Sequence, residues 1–347
     1  MYFNALGTLY HSGSQINICS LRKSQVCTIK KINTTNTTNN TLLIGNGFSL
    51  YFHNIFRWEK LISDNDGSLK TASVMLGSNN LEKMIEYLIC GKLIIPFLVN
   101  GDETLKKNYN DVLKKEIETL KKLFIENLGK KHPSLPKELE LKNKQCVTNT
   151  LKSFQHIFTT NYDLVLYWLI IDSVSHFCDG FSCSISDNKN NYFSHFHNYA
   201  TRKNKIPISY LHGALHLYHN ELGTHKITYK PEETLVQKIQ VMDNLPLVIL
   251  EGNSTDKIKQ ISDNFYLQYS HNQLKEIKGN VYTFGVSFEH DDYIIKSLCE
   301  NSKIDKIYFG DYKDIPVLPK HLLKYSDRIN LYSSKFFGFN DDSCEIS

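Results

Sequence analysis

Three short segments carry residue types suited to handling a dinucleotide. The first is the turn Gly45-Asn46-Gly47-Phe48-Ser49, directly after the apolar run Leu42-Leu43-Ile44. Glycines after a strand admit positive φ and let backbone amides approach a phosphate closely. Asn46 tolerates unusual φ, and Ser49 can cap the next helix or bond a phosphate oxygen. The turn is not Gly-x-Gly-x-x-Gly and has no P-loop lysine, and a tight structural turn would read the same way. The second segment, Thr159-Thr160-Asn161-Tyr162-Asp163, lies where an apolar strand becomes an apolar helix. Polar groups buried at such a junction must be hydrogen-bonded, to backbone or to a ligand. Helix capping by Thr160 or Asn161 explains one or two of them, not the whole run. The third, Tyr210-Leu211-His212-Gly213, sets a histidine at a strand end. It can serve as a base or bond a ribose hydroxyl, or be a buried histidine satisfied by backbone.

Two later positions extend the pattern. Gly285-Val286-Ser287 repeats the strand-then-small-residue arrangement and suits a phosphate or ribose, or Ser287 is a helix cap. Asp311 can accept from ribose hydroxyls, or marks a turn. His212, His216 and His219 raise the question of a metal. Strand alternation puts His219, with Glu221, on the face opposite the other two, so no metal is expected.

The elements that must position these residues follow from apolar patterning. Short buried strands are expected at 42–44, 156–158, 208–210, 247–250, 281–284, 306–309 and 329–332, with helices between them, among them 232–242. A helix over 105–128 has one stripe of Leu105, Val112, Leu113, Ile117, Leu120, Phe124 and Leu128, with lysines on its wet face. Strands alternating with helices imply an α/β fold with a Rossmann-like, doubly wound parallel sheet and ligands beyond the carboxyl ends of its strands. We expect an extension or linker over 1–40, including an Asn/Thr connector at 33–41, an α/β domain over 41–335, and a tail over 336–347. Within the domain sit a helical insertion at about 52–151 and a polar loop or hairpin insertion at about 175–207, a candidate lid.

Composition narrows the class. With 347 residues, 41% of them hydrophobic, the chain can bury a sizeable core. Lys+Arg 40 against Asp+Glu 36 leaves a net charge of +4, too balanced to indicate nucleic acid. No apolar run is long enough to span a bilayer, and the start lacks the order of a signal peptide, so a cytoplasmic protein is expected. Eight cysteines without a Cys-x-x-Cys pair are read as reduced and mostly buried thiols.

In order, these motifs resemble the sirtuin superfamily over roughly 41–311. Gly45–Ser49 is similar to its first dinucleotide turn, Thr160-Asn161-Tyr162-Asp163 to its Asn-x-Asp segment, His212-Gly213 to its His-Gly, and Gly285-Val286-Ser287 to its later Gly-Thr-Ser turn. The flavour is that of bacterial sirtuin-like proteins, which include domains of uncharacterised function and antiphage effectors that destroy NAD. The zinc module of deacetylating sirtuins is absent. So is their Ile-Pro-Asp-Phe-Arg stretch, where this chain runs Leu50-Tyr51-Phe52-His53-Asn54. The resemblance therefore implies an NAD glycohydrolase with water as acceptor, releasing nicotinamide and linear or cyclic ADP-ribose. Asp163 would hold the carboxamide, Asn161 would position ribose or water, and His212 would bond the ribose and act as base. Gly45, Asn46, Gly47, Phe48, Ser49, Thr160, Tyr162, Gly285, Ser287 and Asp311 would bind the rest of NAD. Constant activity would be toxic, so control by homo-oligomerisation or a regulatory partner is implied. The alternatives are a non-catalytic NAD or ADP-ribose sensor, a protein deacylase or ADP-ribosyltransferase, and a structural subunit with a vestigial site.

Overall fold

The computed structural model describes residues 9–11, 14–16, 39–63, 68–138, 144–182, 191–193, 205–227, 245–250 and 253–336. The expected helix at 232–242 and most of the extension and tail lie outside these residues. Within the extension, β1 (Leu9–His11) and β2 (Ser14–Ile16) pair as an antiparallel hairpin.

The central element is β3 (Asn40–Ile44), whose five residues are all buried. An uninterrupted apolar strand of this kind must be covered on both faces. It begins inside the stretch expected to be a connector. Asn40 and Thr41 belong to the strand, because their backbone pairs with residues 280 and 281. The short helix α1 (Asn46–Phe52) follows. Then come α2 (Trp58–Ser63), α3 (Ser68–Leu76), α4 (Leu81–Leu98), α5 (Glu103–Lys131) and α6 (Lys144–Leu151), all before the next strand. Side chains cap the two longest: Asn80 accepts from the Lys83 amide, and Asp102 from those of Thr104 and Leu105. The stripe expected along α5 is buried only in its second half. Leu120, Phe124 and Leu128 are in the core, whereas Leu105 and Val112 are exposed, as are Leu93, Ile94, Phe97 and Leu98 of α4. The distal ends of these two helices have nothing packed over them among the described residues.

β4 (His156–Thr159) and the fully buried α7 (Val165–Ile170) return the chain to the sheet. β5 (Phe177–Cys178) then forms its edge, so part of the polar insertion is sheet and not loop. β6 (Phe181–Ser182) and β7 (Asn191–Phe193) leave it, and β8 (Ile206–Tyr210) rejoins it. β9 (Gly213–Asn220), β10 (Gly223–Lys226) and β11 (Pro246–Val248) follow. With β6 and β7 they make a second, five-stranded antiparallel sheet in the order β11-β9-β10-β7-β6. Residues 247–250 therefore do not supply a parallel strand as expected. Gly213, at φ +76, turns the chain so that β9 runs against β11. A Cβ at Gly213 would collide with the Leu247 carbonyl oxygen. Gly213→Ala is expected to lower stability by at least ~2 kcal/mol, from the left-handed backbone and this overlap, read as a lower midpoint in urea unfolding.

The chain closes with α8 (Ser254–Ser262), α9 (Phe265–Glu276), β12 (Gly279–Phe284), α10 (Asp292–Glu300), β13 (Ile304–Asp311) and β14 (Ile329–Ser333). The main sheet has seven strands in the order β14-β13-β12-β3-β4-β8-β5, every neighbouring pair parallel. This is a Rossmann-like sheet with a helical insertion and a smaller antiparallel sheet. The chain builds outward from β3 on one side, then crosses back to build β12, β13 and β14 on the other. The order reverses between β3 and β12, where such sheets open a crevice beyond their carboxyl ends. Among the described residues no helix is long and apolar enough to cross a membrane. Cys90 and Cys299 are outside any disulfide, Cys90 being exposed, and the buried Cys178 thiol donates to the Ile206 carbonyl at 3.6 Å, whereas Cys146 is disulfide-bonded, which corrects the expectation of reduced, mostly buried thiols throughout.

Candidate functional site

A cavity of about 1200 Å³ opens at the reversal point. Its floor is two turns packed on each other, one after β3 and one after β12. The Gly45 amide donates to the Phe284 carbonyl at 2.9 Å, and the Gly47 amide to that of Gly285 at 3.0 Å. A Cβ on Gly45 would lie 2.5 Å from the Gly285 oxygen, and one on Gly47 2.5 Å from the Gly285 Cα. The glycines are thus required by this loop-on-loop contact. The amides of Gly45 and Gly47 are already engaged and are not free for a phosphate. Gly45, Asn46, Gly47, Gly285 and Ser287 still line the cavity. Phe48 does not: it is fully buried, edge-on to Phe52 and Phe284.

Ser49 is also fully buried, behind the wall. Asn161 Nδ2 donates to its hydroxyl at 2.9 Å, and that hydroxyl bonds the Asp163 carboxylate. Ser49 therefore ties Asn161 to Asp163 and does not cap α1. Asn161 and Asp163 are each 5% exposed, and both line the cavity with Thr160 and Tyr162. The oxygen of the Asn161 amide, Oδ1, is buried with no hydrogen-bond partner among the described residues. Asp163 Oδ1 accepts from the Val165 amide at 2.9 Å, opening α7. Burial pushes the Asp163 carboxyl up to about 6, against the hydrogen bonds from Ser49 and Val165.

His212 reaches the same cavity from the end of β8. Its Nε2 lies 2.7 Å from the Tyr293 hydroxyl and 3.4 Å from Asp291 Oδ1. Burial lowers its pKa to about 3, although Asp291 pulls the other way. The ring is therefore neutral at pH 7 and keeps a lone pair. Asp311 lines the far side, accepting from the Val317 amide at 3.1 Å and facing Lys313 at 3.4 Å. The structure thus gathers Asn161, Asp163, His212, Gly45, Asn46, Gly47, Thr160, Tyr162, Gly285, Ser287 and Asp311 around one space, and leaves Phe48 and Ser49 behind it.

His216 and His219 are elsewhere. His216 is fully buried between the rings of Tyr167 and Tyr210, and His219 contacts Thr224 in the small sheet. Among the described residues no group of three or more His, Cys, Asp or Glu side chains is arranged to hold a metal ion.

Sequence reasoning missed the charges of the site. Lys257, fully buried, bridges Asp291 Oδ1 at 2.8 Å and Glu82 Oε1 at 3.1 Å. Tyr162 Oη lies 2.9 Å from the same Glu82 oxygen and 2.7 Å from the Ile249 carbonyl. Arg57, exposed, lines the cavity after α1. Nothing local separates Lys257 from Lys259 two positions on. Glu82 has the place of an ordinary first-turn acid beyond the Asn80 cap, and only the fold shows otherwise.

Fold and site together define a Rossmann-like α/β protein with a ligand-sized cavity at its sheet reversal. The chain belongs to the family described as Domain of unknown function (DUF4917), whose model matches residues 42–331 and so takes in every cavity residue named above. No curated protein matches it.

Proposed function

We propose that this protein is an NAD glycohydrolase of sirtuin-like type. The observation that carries the reading is Asn161, a buried amide at the cavity wall, fixed through Nδ2 by Ser49 and with Oδ1 unpartnered among the described residues. A buried amide oxygen without a partner is costly unless a ligand group donates to it, and a ribose hydroxyl or a water is such a donor. Asp163 and His212 line the same cavity, and Arg57 offers a cation for the diphosphate.

The chemistry follows from the groups at hand. The nicotinamide–ribose bond breaks, its electron pair leaves with nicotinamide, and the anomeric carbon becomes oxocarbenium-like. Water adds to that carbon and releases one proton, giving nicotinamide, ADP-ribose and H⁺. Asp163 accepts from the carboxamide, Asn161 orients ribose or water, and neutral His212 bonds the ribose and takes the proton. Such an activity has to be controlled. We assign it to an effector that depletes NAD in the cytoplasm during antiphage defence, held in check by homo-oligomerisation or a partner protein. A second reading, a sensor that binds NAD or ADP-ribose without turnover, is favoured by the depth of His212, which is only 1% exposed. Incubating the purified chain with NAD and separating the products tests both. Nicotinamide and ADP-ribose in equal amounts support the hydrolase. Saturable binding of NAD, with NAD recovered intact, supports the sensor.

A further inference from the structure

We propose that Asp291 is the positioning residue for His212, and that Lys257 and Glu82 hold Asp291 for that task; its effect on turnover rests on the NAD-cleavage reading above. Four elements converge here. Glu82 comes from the first turn of α4, Lys257 from α8, Asp291 and Tyr293 from the start of α10, and His212 from the end of β8. The contacts run in series, from Glu82 to Lys257, from Lys257 to Asp291, and from Asp291 to His212 Nε2.

Such a series is a poor way to stabilise a fold. Each buried ion gives up its hydration, and well-packed apolar side chains of similar size serve a core as well or better. Its chemical consequence is specific. Burial works against the Lys257 ammonium, but Glu82 and Asp291 outweigh it and hold its pKa above the ordinary lysine value. Burial raises Asp291, but the Lys257 ammonium, which faces it as a charge and donates to it, outweighs burial and keeps it an anion. An anion beside Nε2 favours the tautomer with the proton on Nε2, which bonds toward the Tyr293 hydroxyl and Asp291. Nδ1 is then the ring's acceptor. The other charged or titratable groups facing the ring are Lys257, His271 and Tyr293, with Tyr162 stacked against it. Lys257, His271, Tyr293 and Tyr162 carry no negative charge at pH 7, so Asp291 sets the preference. Glu82 also meets the Tyr162 hydroxyl, so the two segments that carry Asn161 and His212 are registered on one ion network.

The test is the tautomer of His212 in full-length protein labelled with ¹⁵N-histidine, its signals assigned by their loss in His212→Gln. The expected wild-type result at pH 7 is a neutral ring protonated on Nε2. In Asp291→Asn the preference is expected to fall toward a mixture of tautomers. The kcat for NAD cleavage is expected to drop about 10- to 100-fold with KM little changed, the loss usual for an outer partner of a functional histidine. Asp291→Glu is expected to restore the wild-type tautomer. A wild-type ring protonated on Nδ1 overturns the proposal whether or not any variant folds, and so does an unchanged tautomer in Asp291→Asn. Absence of NAD cleavage by the wild type counts against the hydrolase reading alone, since the tautomer still decides the role of Asp291.

Discussion

Acidification from pH 7 is expected to unfold this protein within about two pH units below 6.5, far earlier than carboxylate titration alone would bring about. Five histidines carry the effect. Burial lowers His156, His212 and His216 to about 3, and His132 and His271 to about 4. Each folded value lies below the unfolded one, near 6.5. The unfolded chain therefore binds more protons as pH falls, and the stability present above pH 6.5 is lost on the way down. Asp163 opposes them, because its folded value of about 6 lies above the unfolded one. The net difference near pH 5 is about four protons, or about 5 kcal/mol per pH unit, against a typical domain stability of ~5–15 kcal/mol. Trp168 is fully buried with its ring 4.8 Å from that of His132, so its fluorescence reports the transition. His216→Phe should move the midpoint to lower pH, since neither ring nitrogen of His216 has a hydrogen-bond partner among the described residues. A fold that persists cooperatively to pH 4 would show that these histidines titrate normally.

The second large effect is on activity. Asn161→Ala and His212→Ala are each expected to lower NAD cleavage by about 10²- to 10⁴-fold, the range for removing a positioned general base or its orienting partner. Neither change needs to disturb the sheet. Asn161 precedes α7 and gives up one bond, to Ser49, while His212 leaves Asp291 still paired with Lys257. The two losses should differ in kind. Removing Asn161 should raise KM as well as lower kcat if, as proposed, it orients the ribose of the bound substrate. Removing His212, proposed both to bond the ribose and to take the proton, should lower kcat more than it raises KM, because proton transfer belongs to the transition state. Circular dichroism on the same samples at pH 7.5, above the acid transition, checks that the fold is intact.

What was legible in the sequence was whatever lies in one continuous stretch. Leu42-Leu43-Ile44, His156-Ile157-Phe158 and residues 281–284 are short apolar runs followed by polar or small residues, and all three are central strands of the sheet. The order of motifs also placed Asn161, Asp163 and His212 by one cavity, because parallel strands deliver their carboxyl ends to the same edge. What escaped depends on long-range contact. Lys257 meets Glu82, 175 positions earlier, and its own helix reads as a solvated one. The glycines at 45 and 47 read as a phosphate turn, yet it is Gly285, from the other half of the sheet, that demands them. Residues 247–250 carry a strand pattern, but periodicity does not tell a strand which sheet to join, and the Gly213 turn sends β9 to pair with it. The apolar stripe of α5 predicted burial along its whole length, and the fold covers only the half that reaches the core.

The most direct test is NAD turnover by purified wild-type protein and His212→Ala, and by cells expressing each, with products identified by mass. The expected result is nicotinamide and ADP-ribose from the wild type and intact NAD with the variant. Loss of NAD in cells but not in vitro, still dependent on His212, would place the missing trigger in a partner or signal. Equal NAD loss with wild type and His212→Ala, or binding of NAD with no loss in either setting, would contradict a hydrolase built on this site.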